Sequence, residues 1–463
     1  MPKYEETLAR LGLRVPEVYL PAPGVDCSKW AVVACDQYSS EREYWRRAAE
    51  FVGDAPSTLG LIFPEAFLED ADAERRISRI QSTMRAYLEG GVLIPAGQGL
   101  ILVERRTASC AKPRLGLVLA VDLEAYEYGA RSRSPIRPSE GTIVERLPPR
   151  MHIRRGAALE LPHIMLLADD SARSLVEPIY AARPRLEKLY DFELMLGSGR
   201  VTGWKVDDKT LLESFADALE NLADPSVFEA KYASPGELSS PGERSSPGER
   251  CSPLLFAVGD GNHSLATAKA VWEEIKAAHK GEAGIMSHPA RYALAELVNI
   301  YDEGLPFHPI HRVLTNINEA DLVSALEGYQ EYDLDRCASA EDALAIVDGS
   351  GTEGHTLACV SPAGSLVLRF PKPRAKLAAG TVQDFLDPLL KPGRGIGIDY
   401  IHGTESFLSL AREEGHLGLY LPPVDKSSFF ATVIRDGVMP RKTFSMGEAP
   451  DKRFYIEARR IDT

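Results

Sequence analysis

The segment Gly259-Asp260-Gly261-Asn262-His263-Ser264 stands between an apolar run, Leu254–Val258, and an amphipathic stretch, Ser264–Ala278. Backbone N–H groups at a helix start carry partial positive charge, and flanking glycines let a ligand approach them closely. Such a turn suits an anion, phosphate above all. His263 adds a proton-transfer group and Asp260 an acid. The same spacing also describes an ordinary strand-turn-helix joint with a hydrogen-bonded histidine, and no GxxxxGK Walker loop is present.

A second concentration of chemistry is Arg137–Arg155, which gathers Arg137, Arg146, Arg150, Arg154 and Arg155 in a chain of formal net charge −14. Pro149 can open a helix, and Arg150 and Arg154 would then share one face at i,i+4 spacing. Planar guanidinium groups suit phosphate oxygens, whereas Arg154 and Arg155 also read as a solvated basic face. Glu140, among these arginines, is either a general base kept ionised by their charge or their ion-pair partner. The pair Asp169-Asp170 has the composition of a magnesium site, but the following serine favours a helix cap. His308 and His311 are three apart with Pro309 between, an awkward helical metal face. Lys442, Thr443 and Ser445 offer charge and hydroxyls, or simply a polar strand. No GxSxG elbow, HExxH helix or GxGxxG after a strand supports a hydrolase, metalloprotease or dinucleotide reading.

The elements that must position these residues follow from periodicity. Residues 29–38 read as a buried strand running into a loop at Asp36, and Ser39-Ser40 as a cap for a helix through Ala49. Residues 70–90 predict an amphipathic helix through Ile77, Ile80, Met84 and Leu88. Leu100–Glu104 and Leu115–Asp122 predict a β-hairpin, and Leu161–Asp170 and Arg291–Asn299 predict further strands. Residues 234–253 repeat Ser-Pro-Gly-Glu three times, too polar to bury surface, and predict a mobile loop. Beyond residue 315, helical patterns at Asn318–Glu327 and Glu341–Val347 alternate with strands at His355–Val360 and Ser365–Phe370. Gly393–Gly403 reads as a glycine-rich connection.

With 463 residues the chain exceeds what one hydrophobic core usually supports. The division expected is an N-terminal α/β unit over 1–130, a core over 131–314 and a C-terminal α/β region over 315–463. The negative charge disfavours nucleic acid and anionic lipid as partners. The six cysteines show no CxxC or CxxH spacing and read as reduced thiols. No signal sequence or ~20-residue apolar span is visible, so the expected location is the cytoplasm.

VGDGNHSLATAK resembles the signature of the domain of unknown function 1015 family, a strand followed by ADGHHR and a helix. CDQYSSEREYW is similar to that family's PPYDVIS-type segment, RPSEGTI to its RHExT, PPR followed by ELPHI to its DR and SPI, and MPRKTFS to its MPxKST. The family in turn resembles the ParB/sulfiredoxin superfamily, whose α/β domains bind nucleotide phosphates at a helix-start turn. Its members include free-serine kinases that use ADP or ATP. The resemblance implies a ParB/sulfiredoxin-like core, with Glu140 as catalytic base. It places Asp260, Gly261, Asn262 and His263 in the phosphate turn, with Gly259, Ser264, Arg137, Thr142, Arg150 and Lys442 as further phosphate contacts. Ser264 stands where the family has arginine, so a positive charge must come from elsewhere, Arg150 or Lys269. Ser139 replaces the histidine before Glu140. Asn262 occupies the place of sulfiredoxin's cysteine, which removes that enzyme's nucleophile.

The expectation is therefore a mixed α/β phosphotransferase. It would act on a small hydroxylated metabolite such as free serine, with ATP or ADP as donor and Mg²⁺ on the phosphates. A nucleotide-gated binding protein without turnover is the alternative, and self-association is compatible with either.

Overall fold

The computed structural model describes residues 2–129, 132–232, 253–327, 329–351, 353–391, 393–440 and 442–462. The Ser-Pro-Gly-Glu segment read as a mobile loop lies outside them, Pro253 excepted. The described residues form two compact units of mixed α and β structure. The first comprises residues up to Pro306 with 433–437 and 447–463; the second comprises 307–432 and 438–446.

The first unit is organised on a nine-stranded sheet. Its strands in chain order are β1 (Leu13–Arg14), β2 (Leu100–Arg106), β3 (Arg114–Asp122), β4 (Ile136–Pro138), β5 (Met165–Ala168), β6 (Lys188–Glu193), β7 (Arg200–Val206), β8 (Phe256–Asp260) and β9 (Tyr292–Asn299). The spatial order is β6-β7-β2-β3-β9-β5-β8-β4, with β1 paired to β3. The strands from before residue 130 thus lie within one sheet between strands from after it. The hairpin read from sequence is β2-β3, antiparallel, with Ile101 opposite Val118.

Period-two alternation explains why both faces are covered. Leu100 and Leu102 enter one core with Leu212 and Phe215 of the helix Lys209–Leu222 and with Leu265 and Trp272 of the helix Asn262–Ala278. Ile101 and Val103 enter the opposite core with Trp45 and Ala48 of the helix Arg42–Val52. The second unit holds a six-stranded sheet in which His355–Ser361 and Gly364–Phe370 form an antiparallel hairpin at its heart. No helix among the described residues is long and apolar enough to cross a membrane.

Four local readings need correction. Only Val32–Val33 of residues 29–38 is strand, because Asp26 caps a short helix over Cys27–Trp30 that takes up the start of the run. The next helix begins at Arg42 with Glu41 at its cap position, so Ser39 and Ser40 do not cap it. Asp170 caps a turn, its Oδ2 accepting from Ser174 and Leu175 N–H at 2.6 and 2.8 Å. The glycine-rich 393–403 segment contains a strand, Gly397–Ile401, paired with His311–Thr315.

The last segment of the first unit, 447–463, is laced through it by buried charge. Arg453 pairs with Glu296 on β9, donates from Nη2 to Glu457 at 2.6 Å and from Nε to the Pro162 carbonyl at 3.1 Å. Tyr190 OH donates to Glu457 at 2.5 Å. Burial alone would raise the Glu296 carboxyl, yet the Arg453 and Arg114 charges hold it below its ordinary 4.5. A carboxyl lowered on folding contributes stability above that ordinary value and loses it as pH falls below. Arg453→Met should cost about 3–5 kcal/mol by leaving Glu457 buried without its cation and Glu296 with only Arg114, 3.7 Å away. Urea unfolding at neutral pH measures this, and an unchanged midpoint would contradict the role given to Arg453.

Candidate functional site

β8 ends at Asp260, and Gly261 begins the helix Asn262–Ala278, α1, in the left-handed region at φ +76°. A Cβ on Gly261 would meet Ile164 Cα at 3.0 Å, so glycine is needed both for the turn and for the approach of β5's leading residues. No side chain caps α1. Its first-turn N–H groups therefore keep the partial positive charge that attracts an anion. Asp260 is doubly engaged: Oδ1 accepts from Gly261 N–H at 2.9 Å, and Oδ2 pairs with Lys452 Nζ at 3.1 Å.

The loop after β4 is fastened to this turn at two points. Ser139 N–H donates to the Val258 carbonyl at 3.2 Å, and Ile143 N–H donates to His263 Nε2 at 3.3 Å. Half-buried Glu140 lies between those anchors with Gly141 and Thr142. Ser139 Oγ, Thr142 Oγ1 and Asn262 Oδ1 are buried here without a hydrogen-bond partner among the described residues. An unpaired buried polar atom costs about 1–3 kcal/mol. The two hydroxyls beside an uncapped helix start match what a phosphate group accepts from, whereas Asn262 Oδ1 is itself an acceptor and calls for a donor.

The other residues read from sequence are distributed differently. Arg137 is buried on β4 opposite Ala257, its Nε donating to the Ser134 carbonyl at 2.7 Å. Arg150 lies on the helix Leu147–Arg154, which opens on prolines as expected and packs against α1. It pairs with Glu65 and donates to the Arg146 carbonyl at 2.7 Å. Ser264 Oγ contacts His163 Nε2 at 2.9 Å. Lys269 pairs with Glu273 at 2.7 Å. Exposed Lys442 and buried Thr443 belong to the second unit. There His308 pairs in a short strand with Ser445, while buried His311 stacks on Tyr420 with ring centroids 4.0 Å apart.

Sequence reading missed a polar chain beside Ser264. His163 Nδ1 contacts Tyr455 OH at 2.8 Å, and its Nε2 stands 3.5 Å from Asp36 Oδ2. Tyr455 OH accepts from Cys35 N–H at 3.1 Å. These residues lie far apart in the chain and share no motif. The visible signals were Asp36 at the end of an apolar run and His163 inside ELPHI. Burial alone would lower the His163 imidazole, but the Asp36 carboxylate outweighs it and raises His163 above its ordinary 6.5. Burial likewise opposes Asp36, and the His163 charge wins, holding that carboxyl below its ordinary range.

The pair therefore stabilises the fold across mid-range pH. The His163 share is complete below 6.5 and lost as pH rises through its raised value. The Asp36 share is complete above 3.8 and lost as pH falls through its depressed value. In imidazole NMR, His163 should titrate above 6.5 in the native chain and lower in Asp36→Asn, where burial loses its main opponent and only the weaker Asp260 and Glu65 charges remain against it. A native value at or below 6.5 would contradict the pairing.

No curated protein matches the chain. Among solved structures, a free serine kinase in complex with AMP is 8% identical at TM-score 0.36, covering 73% of this chain and 90% of its own. A conserved hypothetical protein from Pyrococcus furiosus is 10% identical at TM-score 0.34, covering 73% and 95%. SbnI with C-terminal truncation from Staphylococcus aureus is 8% identical at TM-score 0.33, covering 73% and 82%. Likenesses at these values carry no argument about what this chain does. The family described as protein of unknown function (DUF1015) matches residues 19–389, most of the sequence, and the chain belongs to that family.

Proposed function

We propose that the first unit is a ParB/sulfiredoxin-like nucleotide-binding core, and that the chain transfers a terminal phosphoryl group from ATP or ADP to the hydroxyl of a small metabolite. The observation that supports this reading most directly is the double fastening of residues 139–143 across the Gly261 turn. It brings Glu140, two unpartnered hydroxyls and the Asn262 amide to one uncapped helix start.

In this reading the α1 N–H groups, Ser139, Thr142 and Asn262 hold phosphate oxygens. His263 spends its Nε2 on Ile143 and so positions the loop. Lys452, held at the turn by Asp260, supplies positive charge near the site where the family arginine is replaced by Ser264. Glu140 takes the proton from the acceptor hydroxyl. The acceptor oxygen forms its bond to phosphorus as the bond to the nucleotide's bridging oxygen breaks, and the nucleotide leaves one phosphate shorter. Positioning and fixed charge supply most of the catalysis in such a transfer.

Among the described residues no group of three or more His, Cys, Asp or Glu sits together as a metal cluster. Mg²⁺ therefore enters this reading with the nucleotide as substrate, where it neutralises and bridges phosphate oxygens. The assay is nucleotide consumption by the full chain with a panel of hydroxylated acceptors that includes free serine. Glu140→Gln should lower turnover by about 10²–10⁴-fold, the usual contribution of a general base, with nucleotide affinity retained. Equal rates would overturn the assignment of Glu140. Tight nucleotide binding without turnover on any acceptor would favour a nucleotide-gated binding protein instead.

A further inference from the structure

Ser264 and Thr267, one turn apart on α1, line a cavity of about 160 Å³ within the first unit. Its size is close to that of an engineered cavity of about 150 Å³ that binds benzene. Leu61, Phe63, Met84, Ile153, Leu161 and Leu294 form much of its wall. Besides the ion-paired arginines and glutamates of the wall, Ser264 Oγ, His163 and Tyr455 OH form one polar end, already joined to one another by hydrogen bonds.

We propose that this cavity is the acceptor site, and that it takes an alcohol with a branched aliphatic or single-ring body in preference to a zwitterion such as free serine. The inference rests on the phosphotransfer reading for the identity of the reaction, but the cavity's preference stands on its own lining.

Every arginine and carboxylate in the wall already has an opposite charge inside the protein. Arg150 pairs with Glu65, Arg154 with Glu160 at 2.6 Å, and Glu160 again with Arg459 at 2.7 Å. An ammonium or carboxylate entering here would have to shed its water and break one of these pairs, which leaves a charge buried without its partner. An apolar body instead gains about 25 cal/mol for each Å² it removes from water. One hydroxyl is what the polar end can receive, because Ser264 Oγ both donates and accepts. Ser264 is the third residue of α1. A hydroxyl held beside it therefore lies at the same helix start that carries the phosphate turn.

The test is calorimetric titration of the full chain, free of nucleotide, with benzyl alcohol, 3-methylbutan-1-ol and L-serine in turn, and separately with ADP. Both alcohols should bind, and serine should not. Half-buried Ile153→Trp fills the cavity from its wall and should weaken alcohol binding at least about tenfold, within the range that pocket-size changes produce, while ADP affinity stays unchanged. Ile153→Phe, a smaller change, should weaken it in the same direction if the tryptophan variant melts early. Serine binding without the alcohols would overturn the proposal, as would alcohol binding that neither variant alters, or no alcohol binding at all. Alcohol binding with no ADP binding would support the cavity's preference and sink the nucleotide reading, so the two failures are told apart.

Discussion

Arg453, buried between Glu296 on the central strand and Glu457 four residues on, is the interaction on which the site depends. Burying three charges is tolerable only when they satisfy one another. Doing so fixes the path of the final segment through the first unit. Lys452 and Tyr455 flank that arginine and are therefore delivered to fixed positions, one at Asp260 and the other at His163. Trp30, which donates to the Ile456 carbonyl at 2.9 Å, locks the same segment from another side. A long-range ionic knot thus supports a local turn some 190 residues earlier in the chain.

The turn itself answers to short-range constraints. Gly261 must be glycine because its backbone is left-handed and Ile164 is close, and the helix that follows has no side-chain cap. His263 accepts from a backbone N–H of the 139–143 loop, so one ring nitrogen is committed to architecture. Asp260 is likewise committed, to Gly261 and Lys452. Glu140 lies between the two anchors of that loop and carries the proton-transfer role in the proposed reaction.

Sequence periodicity was enough to read the hairpin Leu100–Glu104 and Leu115–Asp122, the helix through Ile77 and Met84, and the strand-turn-helix around Gly261, because alternation and 3–4 spacing are local properties. Ordered short motifs were enough to read the family and to bring Glu140 to the same turn. What escaped was non-local. Nothing near Lys452 or Tyr455 marks them as neighbours of Asp260 and His163, since the Arg453 knot that puts them there is formed by residues some 157 positions apart. The strand within 393–403 escaped because its glycines hide a ladder set by the partner strand His311–Thr315. Ser39-Ser40 looked like a helix cap, but the chain turns at Tyr38, φ +50°, and starts its helix later.

The central claim is that Gly261–Ser264 and the 139–143 loop together form a nucleotide-phosphate site. Amide NMR of the full chain titrated with ADP addresses it most directly. The account predicts that the largest shifts fall on the N–H groups of Asn262, His263 and Ser264 and on residues 139–143, with inorganic phosphate moving the helix-start amides in the same direction. Shifts centred elsewhere, or none at ADP concentrations that saturate ordinary nucleotide sites, would contradict it.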